Sequence, residues 1–496
     1  MIEESIEIHD NYQFEIKLGY KLNQADESSH YKVETFLFLP NSLGINSYSY
    51  TKKNFYDDIQ AYIRIKTPVY LLNQIASETQ SPLQKLRTSI DEMVNQYNDK
   101  TIKNFEHHLK MFCCILKSSL RDHISSVSNR QNLADKEDLT EKYLKNSLEI
   151  ITKFRELRTK LNLPLIEEDT FSFYCFADEY ISILVEAFSF DLMEILETDK
   201  TVHKQMHQTK LVELISSEVE YRKQNNYPSI PKDSESSEKY LFRSSILKKY
   251  TGNVLFLNTK IKQEGELLEQ LLFALSAGLA MFFAVIATVY AKYHYSEFSM
   301  PVIMILIVSY MFKDRIKEAG RNYFGNKLHN RLYDHKMNIY HNNQEKLGWR
   351  KESFTFLKET TLPADIIKLR QREHLTEIEN GWVGENIMLY KKEIRLFKKN
   401  LNKIYSNYNI ESINDILRFN VMSYLKKMDD PQKIIHVLDT KNNTFERIHG
   451  KRVYFINMII KYTYNDEVEY KRYRITLNRD GIRRIDNVAE LKSPII

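Results

Sequence analysis

The chain has 496 residues, a length that suits about three domains. Apolar residues make up 43% and charged residues 28%, with only 12 glycines and 10 prolines, which excludes collagen-like, Pro-rich and linker-like classes and favours long uninterrupted elements. Its 71 basic and 66 acidic residues leave a net +5, too mild and too dispersed to mark a nucleic-acid binder, and three cysteines exclude a disulfide scaffold or a paired-cysteine metal framework.

The opening MIEESIEIHD is acidic and lacks the apolar core of a secretory signal. Tyr12, Phe14, Ile16, Leu18, Tyr20 and Leu22 then alternate with mostly polar residues, the period of two of a half-buried strand. The polar loop NQADESSH leads to a second strand-like run at 31–39, so a β-hairpin is expected, closed off by Pro40. Residues 54–72 read as helix or strand, with Pro68 ending the first element.

From about residue 74 to 270 the periodicity is helical. Ser81-Pro82 is an N-cap followed by proline at the first helical position, and Leu83, Leu86, Ile90, Met93 and Tyr97 form the apolar face behind it. Further helices are expected over 135–161 and 167–197, and a loop over 225–237. The run 171–196 is nearly apolar enough to cross a membrane, but Asp178, Glu179, Glu186, Asp191 and Glu194 interrupt it. Each would cost about 2.5–3.5 kcal/mol at a bilayer centre, so this run reads as the central helix of a bundle outside the membrane.

Residues 271–291 hold no charge and no proline. As a helix they would measure about 31 Å, close to the hydrocarbon thickness of a bilayer. The alternative is a core helix of a large domain, but such helices usually carry polar residues on some face. A second run at 298–312 would reach only about 22 Å. Snorkelling by Lys313, local thinning or burial against the first helix could make up the difference. Pro301 falls where its missing N–H costs least. Tyr290, Tyr293, Tyr295 and Phe298 crowd the connection like an interfacial aromatic belt. The reading is a two-helix transmembrane hairpin in contact with the lipid bilayer.

Basic residues flank both ends: Lys248, Lys249, Lys260 and Lys262 before, Lys313, Arg315, Lys317, Arg321 and Lys327 after. By the positive-inside rule both flanks and both termini are cytoplasmic, as expected of an integral protein of a bacterial cytoplasmic membrane. Ala277, Ala280, Ala284, Ala287 and Ala291 make a small-residue stripe, fit either to pack against the second leg or to form a homo-oligomer seam. Neither leg holds an ionisable residue, which argues against an ion-coupled transporter.

Beyond the hairpin, a helical stalk is expected to about residue 334, with Ile316, Ala319, Tyr323 and Leu328 or Leu332 on its apolar side. Residues 387–398 read as strand with a continuation that fits helix, and 409–428 as helix. From Lys433 onward the pattern is β: Tyr454, Ile456, Met458, Ile460, Tyr462 and Tyr464 share one face, Asn465-Asp466 turns the chain into 468–477, and Asn478-Arg479-Asp480-Gly481 turns it again into 482–485.

No P-loop, dinucleotide fingerprint, nucleophile elbow, HExxH or CxxC pair is present, and no cofactor is expected. Four constellations remain. His203 and His207 have the spacing of a helical metal pair but no third ligand nearby, so exposed histidines are the competing reading. Cys113-Cys114 lies in an apolar helix and reads as inert core thiols, with a redox or lipidation role as the alternative. Asp178, Glu179 and Glu186 either serve acid–base chemistry or pair with basic neighbours. The basic sets Lys391, Lys392, Arg395 and Arg472, Arg474, Arg483, Arg484, with Lys398, Lys399, Lys403 and Arg479 beside them, are either solvated faces or contacts for anionic lipid or a phosphorylated ligand.

The sequence therefore predicts an α+β membrane protein: a cytosolic β-hairpin domain (1–73), a cytosolic helical bundle (74–265), a two-helix transmembrane hairpin (266–313), a helical stalk (314–335) and an antiparallel β-rich cytosolic domain (336–496). The leading functional expectation is a non-catalytic membrane-anchored scaffold or sensor with a protein partner or a second copy of itself. A membrane-tethered enzyme and an oligomeric pore are the alternatives.

Overall fold

A computed structural model of the chain describes residues 2–21, 28–77, 79–198, 204–230, 234–262, 266–295, 299–329, 332–341, 345–370, 384–404, 408, 410, 412–439, 444–464 and 467–488. Strands β1 (Ile2–Asp10), β2 (Gln13–Lys21) and β3 (Ser28–Pro40) come first, then helix α1 (Lys52–Asp58) and β4 (Ile59–Ile65). Helices α2 (Pro82–Asn95), α3 (Asp99–Asn129), α4 (Leu133–Glu156), α5 (Arg158–Leu161), α6 (Glu168–Thr198), α7 (Lys204–Gln224) and α8 (Ser234–Gly252) follow. β5 (Asn258–Lys262) leads into α9 (Glu266–His294) and α10 (Met300–His329), and β6 (His335–His341) and β7 (Glu345–Leu357) come after them. Next are α11 (Ala364–Arg370), β8 (Glu385–Phe397), α12 (Lys398–Ile404), β9 (Ser412–Asn420) and α13 (Met422–Leu425). The last strands are β10 (Gln432–Asp439), β11 (Thr444–Lys451), β12 (Tyr454–Tyr464), β13 (Glu467–Asn478) and β14 (Gly481–Asn487). The protein is thus mixed α and β with large antiparallel sheets.

The chain divides into two compact units: residues 1–63, 257–406 and 412–496 form one, and residues 64–256 with 407–411 form the other. The first is built on two facing sheets, one ordered β14-β13-β12-β3-β8-β7-β6-β5 and one ordered β1-β2-β9-β4. On β2 the inward residues are Phe14, Ile16, Leu18 and Tyr20, the alternation read in the sequence. Phe14 stacks on its cross-strand partner Phe419 at 5.3 Å, and Tyr20 meets Tyr31 of the opposite sheet at 4.7 Å. The outer face of the larger sheet carries a second apolar layer of Phe36, Phe38, Ile387, Leu389 and Ile459, covered by Ile366 of α11.

Several expectations are corrected here. β2 does not pair with β3. It pairs with β1, Ile6 opposite Ile16, and with β9, while β3 lies between β12 and β8 in the other sheet. Separate β domains at 1–73 and 336–496 are therefore not what the sheets form, because strands from both ends of the chain interleave in one sandwich. The helix expected over 409–428 is mostly the strand β9, followed by the single turn α13. Six successive β9 residues from Ser412 are buried, and a strand buried on both faces loses the alternation that would reveal it. The stalk is the second half of α10 itself, unbroken from Met300 and with Pro301 in its first turn. The turn expected at 465–466 lies outside the described residues.

The second unit is helical. Ser81 caps α2 by accepting from Gln84 N at 3.0 Å, as its sequence predicts. Asn98 and Thr101 form a capping box at the start of α3. Packed against α3, α4, α7 and α8 is α6, whose Tyr174, Ala177, Ile181 and Val185 join Phe112, Leu116, Ile150 and Phe154 in one core. Arg64 and Phe256, the two ends of this insertion, pair in an isolated antiparallel bridge.

Candidate functional site

Helices α9 and α10 run antiparallel and in contact. Phe283 and Phe312 place their rings 6.4 Å apart, and Arg321 stands 5.4 Å from the ring of Phe273. Gly320 faces Ser276 so closely that a Cβ added to it would lie 2.9 Å from the serine side chain. On α9, Ser276, Ala280 and Ala291 are buried and Ala277, Ala284 and Ala287 half-buried; Val302 and Ser309 are buried on α10. The predicted alanine stripe thus lies in the seam between the two helices. The hydroxyls of Ser276, Thr288 and Ser309 bond back to the carbonyls of Leu272, Ala284 and Leu306 at 2.9, 2.7 and 3.0 Å. These three hydroxyls are therefore satisfied within their own helices without water.

Away from the seam α9 and the first half of α10 are apolar and bare: Leu271 is 67% exposed, Phe282 65%, Met304 59% and Met311 64%. A continuous surface of this kind marks an interaction with membrane or protein. Among the described residues one helix, Gln270–His294, is long and apolar enough to cross a membrane. The second expected span does not meet that measure, because the apolar stretch of α10 ends at Phe312 and the helix continues through Lys313, Asp314 and Arg315. Both ends of the pair are held by one sheet edge, where β5 and β6 pair from Asn258 opposite Tyr340 to Lys262 opposite Lys336.

The basic sets are divided by the fold. Lys391 and Lys392 are neighbours on β8 and point to opposite faces. Lys391 lies 3.6 Å from Glu34, whereas Lys392 is buried between the sheets and bonded to Asp415, so it cannot serve as a lipid contact. Arg395 donates to Ser28 at 3.2 Å, Arg483 pairs with Asp480, and Arg484 pairs with Asp486 at 2.9 Å. Arg472 and Arg474 are half-buried on the outer face of β13, Arg474 at 5.5 Å from the ring of Phe455.

Lys392 belongs to a cluster that sequence reasoning missed. Arg350 donates to Asp415 at 3.2 Å and lies 3.3 Å from Glu352, while Tyr390 donates to Glu352 at 2.7 Å and His335 stands 3.5 Å from it. Burial alone would raise the Glu352 carboxyl, but Arg350 and the hydrogen bonds from His335 and Tyr390 outweigh it and bring it down to about 2. Burial lowers the Lys392 ammonium against the pull of Asp415. The only hint in the sequence is that Arg350 and Glu352 fall in step with the inward Phe354 of β7, and only the pairing with β8 and the facing β9 supplies their partners.

The acidic set of the helical unit is assembled with arginines. Arg155 grips Glu218 with two bonds of 3.0 and 2.6 Å and lies 3.5 Å from Asp178, which also accepts from Tyr221 at 2.7 Å and Tyr227 at 2.9 Å. Arg243 donates to Glu179 at 2.7 Å, and Arg222 pairs with Glu186 while donating to Ser182 at 2.9 Å. Burial raises the Asp178 carboxyl above its ordinary value against Arg155 and the two tyrosines. Each of the three predicted acids therefore has a cationic partner within a packed bundle. Cys113 is buried and its thiol pushed up by burial, and burial lifts Cys114 to about 12, which leaves both unreactive. His207 is buried on α7 and His203 lies outside the described residues. Among the described residues no three His, Cys, Asp or Glu side chains are grouped to hold a metal ion.

The chain matches no known family, no curated protein and no solved structure. Its function is argued from these sites alone.

Proposed function

We propose that this protein is a membrane-anchored scaffold or sensor, with the α9–α10 pair as a two-helix membrane anchor and the sandwich and helical units displayed at the membrane surface. The observation that carries the reading is the helix pair: the hydroxyls of Ser276, Thr288 and Ser309 are satisfied within their own helices, the outside of α9 and of the first half of α10 is bare and apolar, and both ends of the pair return to adjacent strands of one sheet. Lys260 and Lys262 precede α9, and Lys313, Arg315, Lys317 and Arg321 lie along the second half of α10 that leads back to the sandwich, so on the positive-inside rule these units and both termini lie on the cytoplasmic face. The buried charge clusters support a non-catalytic role, since their carboxylates are occupied by arginine or lysine.

A partner protein has a place to bind. β10 and β11 form a two-stranded ribbon joined to neither large sheet, and it is apolar and exposed on both faces, with Ile434, Leu438 and Phe445 on one and Ile435, Val437 and Ile448 on the other. An isolated two-stranded ribbon is marginal in water, and burial against a partner would stabilise it. Affinity purification from native membranes in mild detergent tests the reading. The wild-type chain is expected to bring down a stoichiometric partner that the Leu438→Ser/Phe445→Ser variant loses. Turnover of a substrate by the purified chain alone, or recovery with no partner, would contradict it.

A further inference from the structure

We infer that the helix pair enters the membrane obliquely, with α9 against the acyl chains and the charged half of α10 among the headgroups of an anionic leaflet. This rests on the membrane-anchor reading and adds depth and orientation to it. The register of the pair carries the argument. Phe283 lies opposite Phe312, Ser276 opposite Gly320, and Phe273 beside Arg321. The first half of α9, residues 271–282, therefore runs alongside the second half of α10, which holds Lys313, Asp314, Arg315, Lys317, Glu318 and Arg321.

An upright crossing cannot accommodate that register. If α9 spanned the bilayer by its apolar length of about 31 Å, Lys313, Asp314 and Arg315 would lie near the middle of the hydrocarbon, where charges are rare and costly. Among the described seam contacts nothing there neutralises all of them, since Glu318 is already paired with Arg315 at 3.1 Å. The distal halves have no such conflict. Residues 283–291 and 300–312 are free of charge, and Phe282, Val285, Val289, Met304, Ile307 and Met311 are exposed around them. The asymmetry lies in the proximal half, where α9 is apolar on its outer side (Leu271, Leu275 and Phe282) and α10 is charged on its own.

A tilted pair resolves both facts. α9 then contacts lipid along its whole length, α10 only along its distal half, and the remainder of α10 stays at the surface, as in an amphipathic interfacial helix. Four basic residues against two acidic ones on that stretch of α10 favour anionic lipid, and Lys313 already rests 3.8 Å over the ring of Tyr310, an interfacial pairing.

The test uses the full chain on vesicles of phosphatidylcholine with phosphatidylglycerol. Leu275→Cys and Ala319→Cys sit at the same level on opposite sides of the pair, and a membrane-impermeant maleimide is added from outside, with the labelled site located by peptide mass. Labelling of Ala319→Cys with protection of Leu275→Cys is expected. Protection of both would establish an upright crossing, and labelling of both would lift the proximal half clear of lipid; either overturns the inference. Binding to these vesicles is also expected to fall roughly fivefold for each of Lys317→Gln and Arg321→Gln, with no change on pure phosphatidylcholine. An unchanged anionic preference would likewise overturn it. Flotation separates the two levels of claim, because a chain that fails to float with any vesicle refutes the anchor itself, whereas a floating chain with the wrong labelling pattern refutes only the tilt.

Discussion

Arg350 and Glu352 stand two residues apart on β7, both turned into the space between the sheets, and each depends on a strand distant in sequence. Removing one member of a buried pair leaves its partner's charge uncompensated, which typically costs more than the pair contributes. Glu352→Gln is expected to destabilise the sandwich unit by about 3 kcal/mol in urea unfolding followed by tryptophan fluorescence, and a loss well under 1 kcal/mol would show that Arg350 is held by Asp415 alone. Titration separates the units. The folded Glu352 carboxyl is depressed to about 2 from 4.5, so its contribution is present above pH 4.5 and is lost as the pH falls toward 2. His108, buried and hydrogen-bonded to Tyr408 at 2.8 Å, is depressed to about 4 from 6.5 by burial and by Lys85, and its contribution is lost earlier, between pH 6.5 and 4. Helical circular dichroism should therefore weaken at a higher pH than the tryptophan fluorescence, since both tryptophans, Trp349 and Trp382, belong to the sandwich unit. His108→Asn is expected to shrink the first transition and leave the second in place; equal sensitivity of both would contradict this assignment.

At the scale of elements, what the sequence revealed followed periodicity. α2 was legible because Ser81, Pro82 and one apolar face agree, and the inward side of β2 because its alternation is strict. β9 was not, since a central strand covered on both faces reads like any mixed segment, and the β2–β3 hairpin was misjudged because neighbours in sequence need not be neighbours in a sandwich. Of the site residues, the alanines of α9 could be found from spacing alone, while the opposite fates of Lys391 and Lys392 follow from which face of β8 each occupies. The seam itself is testable. A leucine at Gly320 would have to displace Ser276, so Gly320→Leu is expected to speed hydrogen exchange of the α9 amides around Ser276 and Ala280 in detergent. Unchanged exchange there would mean that the two helices do not pack as described.

For the whole molecule, strands from the first and last thirds of the chain close one sandwich, and two long insertions leave it: the helical unit between β4 and β5, and the α9–α10 pair between β5 and β6. That layout was beyond sequence reasoning, which sees the insertions as consecutive domains and cannot see which distant strands pair. The long apolar helix α9 was legible because its charge-free stretch is unbroken over the length of a bilayer's hydrocarbon, but its register against the charged half of α10 was not. Because β5 and β6 are already adjacent, with Lys262 opposite Lys336, the pair is removable in principle: a short turn can take the place of residues 266–329. Carbonate extraction of native membranes, comparing the full chain with one in which residues 266–329 are replaced by such a turn, tests the anchor most directly. The full chain is expected in the membrane pellet and the shortened chain, with the strand signal of the sandwich intact, in the supernatant. A full chain released by carbonate, or a shortened and folded chain that stays in the pellet, would contradict the account.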